Sequence, residues 1–124
     1  MVKKYLLVIS KHPPDRWSEE QKKEWDKIEY YPFPKVNPNK RLMELVCFEV
    51  SDIVFKVKEF YQYCEKENAN GYVSLQGEPS VCYHVYWTLF GDGINFVFPT
   101  FERVVVKTDD GRKLRKYKFV MWRY

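Results

Sequence analysis

Ser10, Lys11 and His12 fall together where the apolar run Tyr5–Ile9 gives way to Pro13 and Pro14. A hydroxyl, a cation and an imidazole can hydrogen-bond an anionic ligand, neutralise it and exchange protons with it. A second polar set, Gln76, Gly77, Glu78 and Ser80, follows the run Tyr72–Leu75. Gly77 lets backbone amides come close to a ligand. Pro79 suits the first turn of a helix whose free N-terminal amides attract anions. A third set, Thr100, Phe101, Glu102 and Arg103, comes after "INFVFP". Together the three sets offer hydroxyls, amides and cations, as a phosphate-bearing ligand requires.

Each of these residues also has a plainer use. Ser10 and Thr100 are turn and cap formers, and Pro13–Pro14 fixes a turn around His12 without any chemistry. Gln76–Glu78 serves as a strand-to-helix turn, and Arg103 as a surface partner of Glu102 or Asp15. His84 lies mid-helix, and "RKLRKYK" reads as the solvated face of a hairpin arm. No P-loop, complete GxGxxG, GxSxG elbow or HExxH is present. The acidic residues are scattered, which argues against a dedicated two-metal site.

The elements that must position these groups follow from pattern. "YLLVI" reads as a strand covered on both faces. Ser18 opens a capping box, and a polar helix is expected to about Lys27. "IEYYPFP" is a short second strand, closed by prolines. Leu42, Leu45, Val46, Val50, Ile53, Val57, Phe60 and Cys64 recur at helical spacing over residues 41–67. One straight helix of that length would span roughly 40 Å, so a break is expected near Ser51–Asp52. Gly71 is the expected left-handed stop. "YVSLQGE" is the third strand, "PSVCYHVYWTLF" the last helix, stopped by Gly91 and Gly93, and "INFVFPT" the fourth strand. "RVVVKTDDGRKLRKYKFVMWRY" reads as a β-hairpin turning at Asp110–Gly111. This alternation predicts one α/β domain over residues 1–124, with a mostly parallel sheet, helices on both faces and a C-terminal hairpin. Right-handed crossovers place strand 3 beside strand 1, opposite strand 2. The loops "SKHPP" and "QGEPS" then face each other across a crevice, the usual ligand site of such sheets.

The totals set outer limits. The chain has 124 residues, 45% of them hydrophobic and 19% aromatic. That is enough for one core and more aromatic surface than one small core absorbs. Twenty-one basic and 17 acidic residues leave +4, compatible with an anionic ligand but weak for a DNA or generic RNA binder. Cys47, Cys64 and Cys82 form neither a disulfide framework nor a CxxC zinc pair. They read as reduced thiols of a cytoplasmic protein. The run after Lys3–Lys4 is too short for a signal-peptide core, and no stretch is long enough to span a membrane.

The ordered set "VISKHPPDRWSEEQ", "YVSLQGEPSVCYHVYW" and "FPTFERVVVKTDDGRKLRKYKFVMWRY" resembles the small CRISPR-associated Csx-type families, above all the one numbered twenty. The similarity covers the first twenty or so residues and most of the second half. Lys11 stands between the serine and histidine of the usual pair, Phe101 in place of a common second threonine, and Phe119 where a histidine often occurs. The resemblance implies a CARF-like, Rossmann-like domain that binds a cyclic oligoadenylate messenger of type III CRISPR defence, with cyclic tetra-adenylate expected. It further implies a metal-independent ring nuclease, without cofactor, acting as a homodimer. On this reading His12, Lys11 and Arg103 are the catalytic candidates. Ser10, Gln76, Gly77, Glu78, Ser80, Thr100 and Phe101 bind the ligand. A non-catalytic cyclic-nucleotide binder and a small protein-interaction module are the alternatives.

Overall fold

A computed structural model describes residues 2–124. Strand β1 (Lys3–Ser10) is the centre of a three-stranded parallel sheet ordered β2–β1–β3, with β2 at Lys27–Pro32 and β3 at Ala69–Leu75. Strand 3 therefore lies beside strand 1, on the side away from strand 2, as the crossover rule requires. Both faces of β1 are covered, and Leu6, Leu7, Val8 and Ile9 are all buried. This is why its sequence is an unbroken apolar run rather than an alternating one.

The two faces carry different cores. Tyr5, Leu7 and Ile9 point with Val73 and Leu75 into a core closed by α3 (Ser51–Lys66), α4 (Pro79–Thr88) and the segment before α3. Leu6 and Val8 face a smaller core of Trp25, Val97 and Trp122. Each fully buried aliphatic side chain contributes about 1.5–3 kcal/mol, so the first core, with more of them, dominates stability. The expected helical layer on both faces is thus uneven. The second face is covered by a single-turn helix, α1 (Glu19–Lys22), and by the aromatic base of the hairpin.

Helix α1 is shorter than the expected span to Lys27. Ser18 accepts from the Gln21 amide as its cap, but the chain must turn so that Trp25 can enter the second core and β2 can start at Lys27. The expected break at Ser51–Asp52 is absent as well. Helix α2 (Leu42–Leu45) runs through a π-helical turn, Val46–Val50, straight into α3, and Ser51 is helical (φ −61°) rather than a cap. Its hydroxyl donates to the Val46 carbonyl at 2.8 Å. The wider turn keeps Leu45 and Val50, five residues apart, on the buried face. Asn68 (φ 53°), not Gly71, takes the left-handed position after α3. Gly71 sits inside β3, where a Cβ would meet Cys64 Sγ at 3.0 Å.

The fourth strand of the sheet shrinks to a single parallel bridge. Val73 donates to the Asn95 carbonyl and accepts from the Val97 amide, both at 2.9 Å. The chain then leaves the sheet as β4 (Phe98–Lys107), which pairs only with β5 (Lys113–Arg123) in an antiparallel ribbon. A bulge between Thr100 and Phe101 bends its base. Trp122 anchors that base: it is buried, donates its indole N–H to the Gln21 carbonyl at 2.9 Å, and packs on Trp17, Trp25 and Phe119.

Candidate functional site

The carboxyl ends of β1 and β3 border a crevice of about 400 Å³. Ser10, Lys11 and His12 line one wall, Gln76 and Gly77 the other, and Trp17 and Phe101 close it with aromatic rings. The two segments predicted to meet do so, because β1 and β3 are parallel neighbours in register from Lys3↔Ala69 to Ile9↔Leu75. The Gln76 amide extends the pairing by donating to the Ile9 carbonyl at 2.9 Å.

Their roles are not equal. Ser10 is buried, and its hydroxyl donates to the His12 carbonyl at 2.6 Å. Its own carbonyl accepts from Tyr30 Oη at 2.9 Å and the Phe33 amide at 3.0 Å. Ser10 therefore holds the turn that presents Lys11 and His12, both of which are exposed. Lys11 also lines a second cleft of about 420 Å³, together with Lys35, Asn37 and Glu78.

The N-terminus of α4 is not free, contrary to the sequence expectation. Glu78 caps it, accepting from the Ser80 amide at 3.2 Å and the Val81 amide at 2.9 Å. The Ser80 hydroxyl donates to the same carboxylate at 2.5 Å. That hydroxyl is the main cause holding the Glu78 carboxyl below its ordinary range. Partial burial opposes it, while the two amides and the Lys11 charge assist. An acidic cap satisfies both the orphan amides and the helix dipole, so Glu78 and Ser80 serve the helix. Gly77 likewise has an internal duty: a Cβ there would lie 2.3 Å from the Phe33 ring.

Thr100 and Arg103 belong to the ribbon. The Thr100 hydroxyl donates to the Met121 carbonyl at 3.0 Å and accepts from its amide at 3.3 Å, pinning the strands at the bulge. Arg103 stands opposite Tyr117, exposed and outside the crevice lining. Trp17, Gln21 and Ser74 line the crevice but were not singled out from the sequence. Ser74 carried a readable signal, being a polar residue within an apolar strand, opposite Val8. Trp17 carried a weaker one, an aromatic directly after a double-proline turn. Among the described residues no three histidine, cysteine or acidic side chains gather as a metal site, and no helix is long and apolar enough to cross a membrane.

Fold and site together define an α/β protein whose polar and aromatic crevice opens at the carboxyl edge of a parallel sheet. The chain belongs to the family described as the uncharacterized protein MJ1673 family, which it matches over residues 4–123. Comparison with curated proteins and with solved structures finds no match.

Proposed function

We propose that the protein binds a cyclic oligoadenylate messenger, with tetra-adenylate the first candidate, on a CARF-like, Rossmann-like domain. The supporting observation is the crevice itself, where Lys11, His12 and Gln76 meet under the rings of Trp17 and Phe101. Cations and amide donors suit phosphodiesters, and aromatic faces suit adenines. A two-fold homodimer would present the crevice twice and so match the symmetry of a cyclic ring.

On this reading the bound messenger is cut and its signal ends in the cytoplasm. The ribose 2′-oxygen attacks the adjacent phosphorus in line, the bond to the 5′-oxygen breaks, and a 2′,3′-cyclic phosphate and a 5′-hydroxyl result. His12 takes the 2′ proton or delivers one to the departing 5′-oxygen, and Lys11 stabilises charge on the phosphoryl oxygens. The fixed turn of Ser10 supplies orientation. The test is labelled cyclic tetra-adenylate with stoichiometric protein in chelator, resolved by chromatography. Linear product with a cyclic phosphate end is expected. His12→Ala should retain binding and slow single-turnover cleavage by about 100-fold or more. An unchanged rate removes His12 from the chemistry.

One set of observations favours a binder without chemistry. The hydroxyls of Ser10, Ser80 and Thr100 and the α4 terminus are already engaged within the chain, and Arg103 lies outside the crevice. Full recovery of intact, protein-retained messenger would establish that reading instead.

A further inference from the structure

The formal charge is not spread over the molecule. Eight of the 21 basic residues but only three of the 17 acidic ones fall between Phe98 and Arg123. The ribbon therefore carries +5 and the rest of the chain −1. The modest total that argued against a nucleic-acid partner conceals one strongly basic element.

That element forms one wall of a groove of about 640 Å³ between the ribbon and the segment Arg16–Gln21. Arg16, Lys116 and Lys118 bring cations to the groove, and Trp17, Phe101 and Tyr117 bring aromatic rings. Glu20, the acidic member of the lining, is paired with Lys23 at 2.7 Å. Tyr117 is 73% exposed. The groove is continuous with the crevice, for Trp17, Gln21 and Phe101 line both.

We infer that this groove is a binding site for single-stranded nucleic acid, separate from the crevice ligand. The chemistry recognised is a phosphodiester chain with free base faces. Cations track the backbone, and rings stack on successive bases without regard to sequence. A duplex offers the same charge but hides its base faces, so the aromatic lining selects the single strand. The inference does not depend on the crevice holding a cyclic messenger.

The test is fluorescence anisotropy of labelled decaadenylate in ribose and deoxyribose forms, beside a ten-base-pair duplex, over a salt series. The single strands should bind with dissociation constants of about 10⁻⁴–10⁻⁶ M, and more tightly than the duplex. The ribose and deoxyribose arms identify the physiological strand. Lys116→Gln with Lys118→Gln should reduce the salt slope by about 0.7 for each cation. Tyr117→Ala, an exposed substitution, should weaken binding at least about fivefold and leave the slope unchanged. Lys11→Gln, a crevice variant, should weaken binding of cyclic tetra-adenylate more than binding of decaadenylate. This separates a failure here from a failure of the crevice reading. Tighter binding to the duplex, an unaltered slope in the lysine variant, or undiminished binding by Tyr117→Ala would overturn the proposal.

Discussion

Single residues in this molecule often carry two readings at once, and the geometry separates them. Gly77 was expected to clear space for a ligand, yet the neighbour it accommodates is the ring of Phe33. Gly77→Ala should therefore destabilise the fold by about 1–3 kcal/mol through overpacking. The loss should be smaller when measured in a Phe33→Leu background, and equal losses in denaturant unfolding would show that the ring is not the obstacle. Glu78 gives a pH-dependent case. Its folded carboxyl lies below the ordinary value of 4.5, chiefly through the Ser80 hydroxyl. The unfolded chain thus binds the proton more readily, and the stabilisation is present above the ordinary carboxylate range and fades as pH falls through the lowered value. Glu78→Ala should cost about 1 kcal/mol near neutrality, with the gap to the parent narrowing below pH 4.5. A gap independent of pH would mean that Glu78 acts by packing alone. The cysteines divide similarly: Cys47 is exposed, while burial raises the Cys82 thiol and pushes the Cys64 thiol up to about 11.

At the level of elements, period and punctuation were legible where one force decides the outcome. The unbroken apolar run of β1 and the hairpin turn at Gly111 follow from burial or backbone sterics and are present, while α4 already ends at Thr88, ahead of the positive-φ Gly91 and Gly93. What could not be read depends on tertiary competition. Trp25 draws α1 to an early end because its indole belongs to the second core. The π turn absorbs a mismatch in the apolar stripe that looked like a break. Thr100 sits in a strand whose true partner, β5, lies about twenty residues away, so its hydroxyl was free on paper and is bound in the fold. The ribbon itself poses the sharpest test at this scale. A two-stranded hairpin is marginal in water unless something covers it, and this one is anchored at its base through Trp122. In hydrogen exchange, backbone amides of 103–118 should exchange much faster than those of β1 and β3. Equal protection in the free protein would mean that the ribbon is covered, as it would be by a second copy.

For the molecule as a whole, the crevice joins parts of the chain that are distant in sequence: the end of β1, the segment around Trp17, the end of β3 and the base of the ribbon. Those parts rest on both cores, since Ile9 and Leu75 belong to one and Val8 and Trp122 to the other. A ligand held there must therefore oppose global unfolding rather than a local opening. At a free concentration one hundred times its dissociation constant, it adds about 2.7 kcal/mol to stability. With an unfolding entropy of about 2.1 cal/mol/K per residue, 124 residues give roughly 260 cal/mol/K. The melting temperature should then rise by roughly 10 °C when cyclic tetra-adenylate saturates the site. Lys11→Gln should diminish that rise at a fixed ligand concentration, because it weakens binding without touching either core. Saturating decaadenylate, held by the ribbon groove, should give a smaller rise, since the distal ribbon contributes little to the two cores. If the cyclic ligand leaves the melting temperature unchanged while decaadenylate raises it, the nucleotide site of this protein is the groove and the crevice is only its inner end.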